Sequence, residues 1–273
     1  MKRIIGIMVL PLITMFSLAQ EIQQKNVPAV ALNAFQLKFS NATDVNWKLE
    51  KGNYLISFEF NKKDNELTLS DKGEVLKHRQ DLYASEIPKN VLETIKSKVA
   101  FFDIHDADKL EEGNKIRYEI DLTINENNHE FIVDETGKLL SYSRELKDNE
   151  VPAQFSTLIN TKYGSIDLDD AFLKEEGGKV FYQLKGEIKD KEHVFIFDKS
   201  GTVLTHEQDL MNGEIPVKVI SNAKAAYNGF EIRDADLTEE GGSVTYRLEM
   251  RKSKEKISVI LNPDGKILQV KGK

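Results

Sequence analysis

The dipeptides Val27-Pro28, Ile87-Pro88, Val151-Pro152 and Ile215-Pro216 open stretches of similar sequence, each of which ends near a glycine turn. The turns are Ser70-Asp71-Lys72-Gly73, Asp134-Glu135-Thr136-Gly137, Asp198-Lys199-Ser200-Gly201 and Asn262-Pro263-Asp264-Gly265, and their glycines stand 64 residues apart. Self-similarity at a fixed period constrains architecture before any single motif does, because one unit copied along a chain has to pack the same way each time. The first stretch is shorter than the others: Pro28 to Gly73 spans 45 residues, whereas Pro88 to Gly137 spans 49.

Each proline suits the first turn of a helix, where its missing N–H costs nothing. Val91, Ile95 and Val99 then follow at steps of four and share one helical face. The same slots hold Ala31, Phe35 and Phe39, then Phe155, Ile159 and Tyr163, then Val219, Ala223 and Tyr227. A turn-rich segment is expected next, at Phe102 to Ala107 and at the corresponding positions Ile166 to Ala171 and Phe230 to Ala235. Period-two alternation follows, as in Tyr54, Ile56, Phe58, Phe60 and in Ile116, Tyr118, Ile120, Leu122, and it predicts strands with one buried face. Further strands flank each glycine turn, since glycine supplies the positive φ that a tight reversal needs.

The expected fold class is therefore α+β: four tandem repeats of one helix plus about four antiparallel strands, paired into two sheets of about eight strands with helices on one face. The boundaries read as residues 1–19 for a leader, 20–146 for a first pair of repeats (27–82 and 87–146) and 147–273 for a second pair (151–210 and 215–273).

Several of these residues carry a family resemblance. The Val/Ile-Pro helix start, the strand Val45-Asn46-Trp47, the Tyr-containing alternating strand and the hairpins Asp134 to Leu140 and Asp198 to Leu204 together resemble the PepSY-like repeat of exported bacterial proteins. Over roughly residues 27–273 the chain looks like two tandem copies of the fold shared with the β-lactamase inhibitor proteins. The resemblance implies binding rather than catalysis, with inhibition or regulation of an extracytoplasmic peptidase as the family-level expectation. The cysteines that staple the lactamase inhibitors are absent, and only the first repeat carries the tryptophan.

Composition fits a chain that acts outside the cytoplasm. Lys2-Arg3, the apolar run Ile4 to Phe16 and the small residues Ser17 and Ala19 read as a cleaved signal peptide, with the protein periplasmic or secreted. No cysteine is present, so neither a disulfide nor a lipid-attachment cysteine is available, and a lipoprotein is not expected. Loss of Lys2 and Arg3 would move the formal charge from -7 to −9. An acidic chain without a basic stripe is a poor nucleic-acid partner. No membrane span is expected after signal cleavage.

No catalytic, cofactor or metal site is expected. The sequence has no Cys nucleophile, no Gly-x-Ser-x-Gly elbow and no phosphate loop. His193 and His206 would face each other across a hairpin if Phe197 and Thr202 flank its turn, but zinc wants three or four ligands and no third is evident. Asp167, Asp169 and Asp170 lack the glycine and bidentate glutamate of an EF-hand loop. The candidate binding face consists of Trp47, of Ile132 with Leu139, Ile196 with Val203 and Ile260 with Ile267, and of His193 and His206. In the assumed register each Ile–aliphatic pair lies on the second face of its hairpin. The leading expectation is thus a non-enzymatic exported protein that binds or inhibits an extracytoplasmic protein. A periplasmic carrier or sensor of a small ligand or metal is the alternative, and an undetected hydrolase the third reading.

Overall fold

A computed structural model describes residues 20–211 and 213–272, so the signal-peptide expectation on residues 1–19 lies outside the described residues. The chain divides into two compact units, one running to Arg144 and the other from Glu145.

In the first unit, β1 (Gln20–Ile22) pairs antiparallel with β2 (Thr43–Glu50), and helix α1 (Ala29–Lys38) lies between them in sequence. Strands β3 (Asn53–Phe60), β4 (Lys63–Leu69) and β5 (Val75–Asp81) continue the antiparallel order. Helix α2 (Lys89–Lys98) precedes β6 (Asp103–Glu112), β7 (Lys115–Ile124), β8 (Asn127–Asp134) and β9 (Leu139–Glu145). The second unit holds α3 (Ala153–Lys162), then β10 (Asp167–Glu176), β11 (Lys179–Ile188), β12 (Lys191–Asp198) and β13 (Val203–Asp209). After these come α4 (Val217–Ala226), β14 (Glu231–Glu240), β15 (Ser243–Lys252), β16 (Glu255–Leu261) and β17 (Ile267–Lys271).

The expectation of four repeats paired into two sheets of about eight strands is not met: the strands form one antiparallel sheet of 17, with four helices among the described residues. Backbone pairing accounts for the difference. A strand edge presents a row of unpaired N–H and C=O groups, and continued pairing satisfies them. Side-chain alternation records faces, not edges, so the sequence pattern carries no information on where a sheet stops. It also gave no sign of β1.

Pro28, Pro88, Pro152 and Pro216 each stand immediately before a helix, at φ between -55 and -58. The carbonyls of Pro28, Pro88 and Pro216 accept the first helical hydrogen bonds, from Leu32, Leu92 and Ile220. Each helix buries the two residues at the i, i+4 step: Ala31 and Phe35, Val91 and Ile95, Phe155 and Ile159, Val219 and Ala223. The third apolar slot closes the helix instead. Phe39, Val99, Tyr163 and Tyr227 are the C-caps, and each donates its backbone N–H to the carbonyl four residues back.

Beneath α1 the core is aromatic: the Phe35 ring lies 5.3 Å from Trp47 and 4.9 Å from Phe58, both edge-on. Phe155 and Phe197 stack at 4.6 Å under α3. The core under α4 is aliphatic, built from Val219, Leu248, Val259 and Leu261.

The segments expected to be turns at Asp103, Asp167 and Glu231 are instead the starts of β6, β10 and β14. Each holds a bulge, between Ile104 and Asp106, Leu168 and Asp170, and Ile232 and Asp234. Short acidic side chains stabilise it locally: Asp106 Oδ1 accepts the Ala107 N–H at 3.1 Å and Asp234 Oδ1 that of Ala235 at 3.0 Å.

The glycine turns seat against the helices. Gly265 has φ 78, and a Cβ there would lie 2.5 Å from the Lys218 carbonyl oxygen of α4. Asn222 Nδ2 and Asn90 Nδ2 donate to the Gly265 and Glu135 carbonyls at 3.0 and 2.8 Å. By contrast Gly52, at φ 84, has open space where a Cβ would go. Gly52→Ala is expected to cost about 1 kcal/mol, the strain of an L-residue at positive φ. Gly265→Ala is expected to cost about 3 kcal/mol, because α4 must also move away from its turn. Equilibrium urea unfolding measures both, and equal losses would remove the close approach as a cause.

Candidate functional site

Among the described residues, the helices bury their apolar pairs against one face of each unit's strands, and none covers the opposite face. The residues singled out from the sequence fall on both faces. Trp47 is core: it is 4% exposed, packs against Phe35 and Tyr54, and its Nε1 has no hydrogen-bond partner. It is not available to a surface partner.

The assumed hairpin register does not occur. A bulge follows each glycine turn, so Leu139 pairs with Val133, Val203 with Phe197 and Ile267 with Leu261. Val203 and Ile267 pack against the helix-side clusters. Ile132, Ile196 and Ile260 pair instead with Ser141, Thr205 and Gln269 and lie half-buried on the open face. Side chains alternate with period two, so a single inserted residue is enough to move each predicted pair onto opposite faces.

The same bulge brings the histidines together diagonally. His193 on β12 stands opposite Gln208, not His206, yet its Nδ1 lies 3.0 Å from His206 Nε2. His206 Nδ1 lies 3.1 Å from Glu239 Oε2 on β14, and Tyr163 at the end of α3 donates to the same oxygen at 3.2 Å. Lys162 Nζ donates to the Tyr163 hydroxyl at 2.7 Å. A carboxylate acceptor at His206 Nδ1 assigns the proton to that nitrogen and leaves Nε2 to accept from His193 Nδ1–H. Both rings are therefore neutral. Burial, then the proximity of His206 and the charge of Lys191, pushes His193 down to about 4. Burial also lowers His206, against the pull of Glu239.

Related pairs occupy the corresponding positions of the other hairpins. His78 Nε2 lies 3.0 Å from Asn65 Oδ1, and His129 Nδ1 lies 3.0 Å from the Tyr142 hydroxyl. Ile257 and Val270 stand there in the last hairpin. Asn65, His129 and His193 are spaced by the 64-residue period, as are His78, Tyr142 and His206. The period could have revealed Asn65 and His78, which the sequence reading missed. Among the described residues, no group of three or more His, Cys, Asp or Glu is placed to hold a metal ion.

The open face of the first unit is acidic around a guanidinium. Arg79 on β5 bonds to Asp108 Oδ2 on β6 and lies 3.0 Å from Glu119 on β7. Arg117 Nε donates to Glu119 at 3.1 Å. Asp108 is 3% exposed, and its Oδ1 has no hydrogen-bond partner. Burial pushes the Asp81 carboxyl up to about 7, helped by the adjacent Asp108 carboxyl, to which a protonated Asp81 can donate, and by the charges of Asp106 and Asp64. Beside this cluster an open cleft of about 730 Å³ is lined by Leu110, Ile116 and Leu140 together with Arg117, Lys115 and Asp134. In the second unit Arg247 on β15 holds Asp236 Oδ2 through Nε at 2.8 Å and Nη2 at 2.7 Å. None of these acidic or guanidinium residues was among the candidate binding residues read from the sequence.

No known family profile and no curated protein matches this sequence. Solved structures do resemble it. A candidate periplasmic protein from Bacteroides eggerthii is 14% identical over 43% of this chain and 88% of that chain, at a TM-score of 0.38. A DUF2874 family protein from Bacteroides uniformis is 15% identical over 45% and 89%, at 0.37. A BLIP-like protein from Bacteroides fragilis is 17% identical over 41% and 82%, at 0.35. None of the three is described as PepSY-like.

The buried histidines make the second unit sensitive to acid. Their folded affinity for protons lies below that of the unfolded chain, whose histidines titrate near 6.5. The contribution of His193 is therefore complete above about pH 6.5 and is lost as pH falls toward about 4, and that of His206 is lost in the same direction. Between pH 7 and pH 5 the protection of Phe195 and Phe197 amides against exchange is expected to fall by about 1–2 kcal/mol. The double variant His193→Ile with His206→Val takes its side chains from Ile257 and Val270 and should lose less over the same range. An equal loss in the variant would show that other groups cause it.

Proposed function

We propose that this chain is an exported, non-enzymatic binding protein that holds another extracytoplasmic protein, such as a peptidase, on the face its helices leave open. The observation that carries the reading is the mixed chemistry of that face. Ile132 in the first unit lies opposite Glu119, which Arg79 and Arg117 hold. Ile260 in the second unit lies opposite Arg247. Partly exposed aliphatic side chains set among ordered arginine–carboxylate pairs match the make-up of protein interfaces, where arginine is enriched and apolar anchors supply the affinity. The leader-like residues 2–19 support an extracytoplasmic setting. No helix of the described residues is long and apolar enough to cross a membrane.

The cleft beside Leu110 and Arg117 favours a second reading, in which the first unit carries a small amphipathic ligand.

Photo-crosslinking residues placed at Ile132 and Ile260 should capture one and the same protein from an extracytoplasmic extract. The same residues at Leu37 and Val217, 87% and 81% exposed on α1 and α4, should capture none. Ile132→Asp and Ile260→Asp are each expected to weaken retention of that protein roughly tenfold or more. Capture that is equal at the helix positions, or retention indifferent to the aspartates, would remove the open face as the docking surface.

A further inference from the structure

The open face of the first unit sets carboxyls opposite one another across five neighbouring strands. Glu59 on β3 pairs with Asp64 on β4, Asp81 on β5 with Asp108 on β6, and Asp108 with Glu119 on β7. The β4–β5 pairing of Asn65 with Gln80 brings Asp64 beside Asp81. Like charges directly opposite one another destabilise a sheet, so the row calls for neutralisation. Arg79 answers part of that need through Asp108 Oδ2 and Glu119. It leaves Asp108 Oδ1 buried without a donor, which costs the desolvation of a charged oxygen.

The second unit provides an internal comparison. Glu187 pairs with Glu192, Asp209 with Asp236, and Asp236 with Arg247, each residue 128 positions beyond its counterpart. There the arginine stands inside the row, at the position equivalent to Glu119, and Glu207 takes the position of Arg79. Among the described residues this second row leaves no buried carboxyl oxygen without a partner. The guanidinium has thus been transposed between units, and only the first row keeps an unmet acceptor.

We propose that the row in the first unit is a docking site for a cationic side chain, a lysine or arginine of the bound protein, and that a proton on Asp81 stands in for that cation until it docks. The inference rests on the reading of the open face as a docking surface. A proton on Asp81 supplies the donor that Asp108 Oδ1 lacks, and an ammonium or guanidinium supplies that donor with a full charge. The charged groups facing the pair are Asp64 and Glu66 on β4, Arg79 on β5, Asp106 on β6, and Glu119 and Asp121 on β7. Arg117 is held by Glu119. Carboxylates outnumber cations here, so the neighbourhood favours a bound proton or an incoming positive charge. Burial and these neighbours keep Asp81 protonated up to about 7. Above that pH the face gains negative charge and the cation binds more tightly; below it the proton competes.

Tetralysine is the probe, titrated calorimetrically into the full chain at low salt. Binding is expected to be about tenfold tighter at pH 8 than at pH 6. The double variant Arg79→Glu with Glu119→Arg preserves composition and net charge while copying the arrangement of the second unit. It should bind at least tenfold more weakly and lose most of the tightening between pH 6 and pH 8, since Asp236 in the second unit is pushed up only to about 6. Binding unchanged in that variant would mean general attraction to an acidic chain, and the inference would fall. The carboxyl carbon resonance of Asp81 in the unmodified chain gives a test that needs no variant. Titration of Asp81 near pH 7 supports the inference, whereas an ordinary aspartate titrating below about pH 5 overturns it. Crosslinks at Ile132 without any tetralysine effect sink this inference alone. A tetralysine effect without crosslinks supports the site and removes the protein-docking reading instead.

Discussion

A one-residue bulge follows each glycine turn and decides which side of the sheet the next strand presents. At Gly73, Gly137 and Gly265 the turn packs closely on the helix at the start of the same stretch, close enough at Gly265 that a methyl group would collide with the Lys218 carbonyl. With the turn fixed, the extra residue has to be absorbed in the ladder, and the pairing shifts at Leu69–Val75, Val133–Leu139, Phe197–Val203 and Leu261–Ile267. Val203 and Ile267 thereby join the helix-side core, and Ile132, Ile196 and Ile260 are left on the open face. The diagonal pairs Asn65–His78, His129–Tyr142 and His193–His206 exist because of that shift.

The two faces of the strands solve different electrostatic problems. On the helix side the buried histidines are each hydrogen-bonded, and the His193–His206–Glu239 chain ends at a tyrosine hydroxyl that a lysine also reaches. Such a network is favourable only while its members stay neutral or paired. On the open side like charges are brought together instead. Both units keep an aspartate pair in register, Asp81 with Asp108 and Asp209 with Asp236, although the accompanying arginine has changed position. Folding stability alone does not call for such pairs, since carboxylates in register oppose sheet formation. The chain nevertheless has them in both units.

The sequence located the helices through particular residues. The four prolines set the starts, and the i, i+4 apolar residues name the buried face. Both signals are local and repeat at 64 residues, which is why they can be read without a structure. The diagonal contact of His193 with His206 was half legible. The period ties each residue to its counterparts, yet the bulge that joins them is a shift in strand pairing, and alternation in sequence cannot register it. The acidic row was not legible at all. Glu59, Asp64, Asp81, Asp108 and Glu119 are scattered over 61 positions and become neighbours only through strand pairing.

What the sequence determined by itself is the local grammar: where helices begin, which positions need glycine, and which residues of each strand are apolar. These follow from φ restrictions and side-chain periodicity, which act over a few residues. Tertiary structure decided the register after each turn, the continuation of the strands into one sheet, and the burial of Asp108 with one oxygen unmet. Those outcomes depend on backbone hydrogen bonds and on charges that meet across strands, between residues that are far apart in the chain.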